Sequence, residues 1–332
     1  MEQKNVEKVY QALDQMAEAL ETRENVPYLD ALGAAMEYIL DRDIDVITEQ
    51  PLLKQQLEKH AAVFDKQAYK KEEIRKGIQL AILKGMKGAT QQQHMLTPDT
   101  VAMLIGYLTN KLAGNNEKFR LFDPAVGTGN LLTAVLNQVE REVEAYGSDV
   151  DPTLIQLAVM NANMQERQIE FFHQDSLRPF LLEPVDLVVS DLPVGYYPDD
   201  IQAAQFELKA DEGHSYSHHL FIEQSLHYTK EGGYLLFVVP NFLFESDQAR
   251  LLHTFLQEHA HIVGMLQLPE SMFKNESQAK SVLILQKKGT LTTAPKQALL
   301  VQLPSFKNPN AMANVLKQIN DWFDNELPDL KN

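Results

Sequence analysis

Val6, Val9, Tyr10, Leu13, Met16, Ala17 and Leu20 fall three or four residues apart, the spacing of one helix face. A second helix is predicted over Pro27 to Leu40 and a third over Pro51 to Phe64. A fourth is predicted over Asp65 to Met86, with Gly85 and Gly88 loosening its end. Residues 1–93 therefore read as a helical N-terminal domain that closes on the polar linker Thr90-Gln91-Gln92-Gln93-His94. From Met95 the pattern changes to short apolar runs between helical stretches. Strands are predicted at Phe119–Asp123, Val143–Asp149, Ile169–His173, Val185–Ser190, Tyr234–Pro240, His261–Leu268 and Ser281–Gln286. Helices fall at Pro98–Leu112, Asn130–Glu140, Pro152–Gln165, Ser217–Lys230 and Asp247–His259. That alternation predicts an α/β domain over residues 94–332, with a seven-stranded, mostly parallel sheet covered by helices on both faces. Pro269 to Lys280 shows no helical pattern, so the strands on either side of it are expected to be antiparallel. A further strand (Ala298 to Leu303) and helix (Ala311 to Asn325) follow.

The most informative segment is Phe122-Asp123-Pro124-Ala125-Val126-Gly127-Thr128-Gly129-Asn130. A strand runs into a turn with two glycines, and a helix follows. Glycine lets the backbone approach a ligand closely. The acid at the strand end opposes a phosphate and suits a cationic nucleoside, of which S-adenosylmethionine is the leading example. Each of the next three strands also ends in acid: at Asp149-Val150-Asp151-Pro152, at Asp175-Ser176 and at Ser190-Asp191. Any one of these could be a helix N-cap, as Asp151 before Pro152 is expected to be. Four at successive strand ends, beside a glycine turn, favour a site at the carboxyl edge of the sheet. Asp149 is placed to accept ribose hydroxyls and Asp175 the adenine amino group. Asp123 and the turn amides would hold the methionine portion.

Composition narrows the chemistry. The chain has no cysteine, which excludes disulfides and thiolate catalysis. No apolar stretch is long enough to span a bilayer, and Met1 to Asn5 lacks the order of a signal peptide, so a cytoplasmic protein without membrane partners is expected. The net charge of −16 opposes autonomous binding to a long nucleic acid. Basic residues concentrate only between Lys66 and Lys87, seven against two acids, and this stretch reads as a solvated helix face or a surface approaching phosphates. His214, His218 and His219 near Asp211 and Glu212 suggest a metal, but Ser217 reads as an N-cap and the histidines as its first turn, so no metal site is assigned.

The segment Ser190-Asp191-Leu192-Pro193-Val194-Gly195-Tyr196-Tyr197-Pro198 brings in a family. Together with His94-Met95-Leu96-Thr97-Pro98, the Asp123–Asn130 turn, Gly147–Pro152, Asp175-Ser176-Leu177, Gly232-Gly233, Val239-Pro240-Asn241 and Leu268-Pro269-Glu270, it resembles the N6-adenine DNA methylases. The modification subunits of type I restriction systems are the nearest match in pattern. The resemblance spans about His94 to Lys288 and implies a class I, Rossmann-like methyltransferase sheet. It implies a cofactor site of Thr97, Asp123, Pro124, Ala125, Gly127, Thr128, Gly129, Asn130, Asp149, Val150, Asp175, Ser176 and Asp191. It also implies methyl transfer to a planar nitrogen of DNA, with Asp191 and the Leu192 carbonyl accepting the amine hydrogens and Pro193 assisting. Because no segment is large enough for target recognition, a specificity subunit is an expected partner.

The family motif is Asn or Asp, then two prolines, then an aromatic that stacks on the target base. Here Leu192 replaces a proline and is expected to loosen the turn, while Val194 replaces the aromatic. Stacking contributes about 1–3 kcal/mol per base in single-strand binders, so its loss would weaken the hold on a flipped base; either Tyr196 or Tyr197 stacks instead, or these tyrosines pack under the following loop. Release-factor glutamine methyltransferases share this motif, so a protein amide, an RNA base or a retained pocket without base methylation stays open.

Overall fold

A computed structural model of the chain describes residues 1–42, 50–87, 96–179 and 181–331. The linker at Thr90–His94, Gly88, and His94-Met95 of the family pattern lie outside the described residues. By contact density the chain divides into two compact units. One holds Met1–Ala102, Val126–Asn137 and Gly147–His173, and the other holds Met103–Ala125, Gln138–Tyr146 and Gln174–Asn332.

The first unit begins with four helices: α1 (Gln3–Glu24), α2 (Tyr28–Leu40), α3 (Pro51–Lys66) and α4 (Lys71–Gly85). The apolar stripe of α1 is buried as its spacing predicts, with Val9, Leu13, Met16 and Ala17 fully covered. They join Leu32, Met36, Leu57, Ile78 and Ile82 in one core. The fourth helix does not begin at Asp65. Lys66 ends α3, Gln67 takes an extended backbone, and α4 starts at Lys71 with Glu73 closing a capping box on the Lys70 amide. The same unit carries the helix after the glycine turn, α6 (Asn130–Gln138), and α7 (Pro152–Met164). Asp151 caps α7, accepting from the Thr153 and Leu154 amides, and Pro152 occupies the first turn.

In chain order the strands are β1 (Lys118–Asp123), β2 (Glu142–Asp149), β3 (Ile169–His173), β4 (Val185–Asp191), β5 (Thr229–Pro240), β6 (Ala260–Gln267), β7 (Lys280–Lys287) and β8 (Leu299–Gln302). They lie in the order β3-β2-β1-β4-β5-β7-β6-β8. The sheet thus has eight strands rather than seven, because β8 pairs parallel to β6 at the edge. In the second unit, β1, β4 and β5 run parallel, while β7 is antiparallel to both β5 and β6. The antiparallel pair is the expected one: with only two single-turn 3-10 segments, Glu270–Met272 and Glu276–Gln278, between β6 and β7, the chain returns through a short connection. Helices α5 (Asp99–Leu112), α8 (Asp200–Ala203), α9 (Ser217–His227), α10 (Ala249–His259) and α11 (Pro309–Glu326) accompany these strands. The second core gathers Val188, Leu235, Phe237, Val239, Leu283 and Leu285 from the strands with Leu220, Leu252 and Phe255 from the helices. Strand order reverses between β1 and β4, the place where open α/β sheets bind ligands at strand carboxyl ends. Among the described residues no helix is long and apolar enough to cross a membrane.

Candidate active site

In the first unit the glycine turn is held at almost every residue. The Val126 amide donates to the Ser148 carbonyl at 2.9 Å. The Gly127 amide donates to Asp149 Oδ2 at 2.8 Å, and Asp149 Oδ1 accepts from the Asp151 amide at 3.0 Å. The Thr128 carbonyl accepts from Asn161 at 3.0 Å. Asn130 donates to the Thr97 carbonyl at 3.2 Å. Gly127 and Gly129 have φ of +53° and +74°, a backbone region that favours glycine. A Cβ placed on Gly127 meets no described atom within 4 Å, so the turn leaves a cradle on that side. The Thr128 hydroxyl is buried there without a described hydrogen-bond partner, an orphan that a bound polar ligand would satisfy. An oriented carboxylate, an open glycine backbone and an unsatisfied hydroxyl fit a nucleoside with hydroxyl groups and positive charge. Val150, next to Asp149, keeps an exposed side chain, and its carbonyl meets His173 Nε2 at 3.2 Å.

The second unit supplies the other predicted residues. Asp123 is buried at the end of β1, and its Oδ1 accepts from the Ala125 amide at 3.1 Å and the Ser190 hydroxyl at 2.7 Å. The Ser176 hydroxyl donates to the Pro124 carbonyl at 2.6 Å, which makes it a tie for the turn entry. Asp175 accepts from the Leu177 amide on one oxygen and from the Tyr197 hydroxyl on the other. Burial, and then the bond to Asp175, pushes the Tyr197 phenol above its ordinary pKa, so it stays a donor. Tyr197 is therefore the packed ring of the pair. Tyr196 is 57% exposed, and its ring stacks on Tyr216 at 4.9 Å with 13° between planes. Backbone bonds from Tyr197 to Ser215 and from Ser217 to Gly195, both 2.8 Å, fasten the two segments together.

Asp191 ends β4, adjacent to β1 in the sheet. Its Oδ1 accepts from Lys280 Nζ at 2.6 Å, with the two side chains only 14% and 18% exposed. Lys280 opens β7 opposite Pro240, at the carboxyl end of β5. No motif in the sequence marks it. Leu192 corrects an expectation. Its amide donates to the Val238 carbonyl at 3.1 Å, a bond that the proline of the family motif could not make. The substitution therefore ties the turn to β5 and buries the leucine side chain instead of loosening the turn. Pro193 and Val194 are exposed beyond it.

Two other expectations change. In the basic run Arg75 alone departs from a solvated face; Lys66, Lys70 and Lys87 are exposed and Lys71, Lys76 and Lys84 partly so. Arg75 is fully buried on Glu72 and Asp99, Lys76 pairs with Asp99, and Lys84 bridges Asp14 and Glu18. Tyr216, rather than Ser217, is the N-cap of α9, without a side-chain cap bond. His214 meets Asp200 at 3.0 Å, and Glu223 accepts the Glu207 and Leu208 amides, so these groups are committed within the fold. His218 and His219 are fully buried, and no described group bonds their ring nitrogens. Burial first, then neighbouring His219 and Lys280, lowers the His218 pKa to about 3; burial lowers that of His219 to about 4, against a raising effect of Asp247. Folding thus keeps both rings neutral, while the unfolded chain protonates them near pH 6.5. Below that pH the unfolded state binds the extra protons, so stability falls as pH drops from about 6.5 towards 4, by up to about 1.4 kcal/mol per pH unit per histidine. Urea midpoints at pH 7 and pH 5 check this, and the slope should flatten in a His218→Phe, His219→Phe variant.

A mostly parallel sheet with a glycine turn after β1 and acids at four strand ends defines the class I methyltransferase fold. Residues 84–325 match the N-6 DNA methylase family, and residues 7–86 match the YtxK N-terminal helical domain. The chain belongs to the N-6 DNA methylase family. It is 45% identical over 98% of its length to the whole of the uncharacterized protein YtxK of Bacillus subtilis. Among solved structures it is similar to a candidate class I S-adenosylmethionine-dependent methyltransferase, lmo1582 of Listeria monocytogenes. That match has 40% identity and a TM-score of 0.88, covering 97% of this chain and 100% of the other. The methyltransferase subunit of a type I restriction-modification system from Streptococcus thermophilus shares the fold at 16% identity and a TM-score of 0.64, covering 96% and 87%.

Proposed function

We propose that the chain is an S-adenosylmethionine-dependent N-methyltransferase acting on the exocyclic amine of adenine in DNA, with the target presented by a recognition partner. The observation that carries this reading is Asp191, an oriented carboxylate at the switch point, one strand from the acid that opens the glycine turn. When bound, the cofactor supplies an electrophilic methyl group on a sulfonium. Asp149 would take its ribose hydroxyls, Asp175 its adenine amine, and Asp123 with the turn amides its methionine portion. Asp191 and the Leu192 carbonyl accept the hydrogens of the incoming amine and draw its lone pair out of conjugation, while the Tyr196–Tyr216 stack offers a ring face to the base. A duplex base would have to be extruded first, which is the task of the partner's grip on the flanking DNA.

A second reading, methyl transfer to a protein glutamine, draws on one observation: Arg75, Lys76 and Lys84 of the basic run are spent on internal acids. Incubation of the chain with cell fractions and tritiated S-adenosylmethionine separates the two. Label in DNA is expected. Label in protein alone would replace the adenine reading with the glutamine one, and label in neither would leave a cofactor-binding scaffold.

A further inference from the structure

Arg75 comes from the second turn of α4 and is fully buried. Its guanidinium uses three nitrogens on three partners. Nε and Nη2 hold Glu72 as a fork at 2.8 and 2.5 Å, and Nη2 also reaches Asp99 at 2.8 Å. Nη1 donates to Asn130 Oδ1 at 2.7 Å. Asn130 opens α6 directly after the two glycines, and its Nδ2 donates to the Thr97 carbonyl at 3.2 Å. A donor on one side and a carbonyl on the other leave a single orientation for that amide. Glu72 is held in turn by Asn137, on the last turn of α6. Burial alone would favour discharging Arg75, but Glu72 and Asp99 outweigh it and hold the guanidinium charged.

Two glycines with positive φ make a turn with high conformational freedom in the absence of outside contacts. Asp149 fixes the turn at Gly127, and Asn161 fixes it at Thr128. At the exit, where the helix N-terminus begins, the Thr133 hydroxyl donates to the Gly129 carbonyl at 2.7 Å, and Asn130, whose amide Arg75 orients, ties the turn to the Thr97 carbonyl. A lysine cannot replace this function, because one ammonium cannot span two carboxylates and an amide in fixed directions.

We infer that Arg75 is a positioning residue for the cofactor turn: through Asn130 the N-terminal helices set the shape of the loop that receives S-adenosylmethionine. The inference rests on the reading of that turn as the cofactor site. It gives the helical region a part in cofactor binding, whatever the methyl acceptor is.

The test uses the full chain with Arg75→Lys, Asn130→Ala and the double variant. Arg75→Lys keeps a charge between Glu72 and Asp99, and Asn130→Ala leaves that charge network untouched, so the second serves if the first fails to fold. In the ligand-free protein, amide hydrogen exchange at Val126 to Leu131 should speed up in both single variants. By calorimetry S-adenosylmethionine should bind about tenfold more weakly to each, and no more weakly still to the double variant. Unchanged exchange in the turn, or losses that multiply in the double variant, would overturn the inference. A wild-type chain that does not bind S-adenosylmethionine would sink the proposed function instead, and the exchange measurement would still decide the role of Arg75.

Discussion

Asp149→Ala should abolish measurable S-adenosylmethionine binding, a loss of about 100-fold or more in calorimetry. Two contributions combine. The carboxylate is the group expected to accept the ribose hydroxyls, and hydrogen bonds to a charged acceptor contribute about 1.5–3 kcal/mol each. It also accepts the Gly127 amide at 2.8 Å, so the alanine frees the first glycine of the turn. Asp149→Asn keeps one acceptor oxygen and should lose less, about tenfold. Affinity of the alanine variant within threefold of wild type would show that the ribose lies elsewhere.

The parts of this site that were legible in the sequence are those written in consecutive residues. The runs Leu187–Ser190 and Leu235–Val239 are buried throughout, so their strands stand out from the polar chain around them. The first runs straight into Asp191, whose chemistry can be named without knowing its neighbours. Where structure depends on distant pairing, consecutive residues do not reveal it. β5 begins at Thr229 rather than Tyr234, because Thr229 pairs with Val185 across an irregular register that no apolar pattern announces. The break before α4 carries neither glycine nor proline, so the helical pattern runs on through it. Arg75 and Lys280 were hidden for the same reason. Their partners Asn130 and Asp191 lie 55 and 89 positions away, and alone each is one cation in an ordinary stretch. Leu192 looked like a defect because the motif has proline there. Its backbone amide, invisible in a motif comparison, is what bonds to β5.

Asp191→Asn should lower methyl transfer about 100-fold, and Lys280→Met in the same chain should restore much of it. The pair is the reason. Asp191 and Lys280 meet at 2.6 Å with little solvent around either, so together they form a neutral unit that presents acceptor oxygen. Asparagine supplies an acceptor too, as the family motif allows, but beside a retained lysine it leaves an ammonium that has lost its counter-charge. Removing one member of a buried pair costs about 3–5 kcal/mol when burial is complete, and less here, where both side chains keep some exposure. The same strain should appear in thermal melting, which needs no knowledge of the acceptor: each single variant melts lower than wild type, and the double variant recovers. Methyl transfer should follow, to within about tenfold of wild type in the double variant, since a neutral acceptor then stands where the neutral pair stood. If the double variant is as inactive as the sum of the two singles, the carboxylate itself is required. Asp191 would then take a proton from the acceptor nitrogen, with Lys280 setting its charge rather than cancelling it.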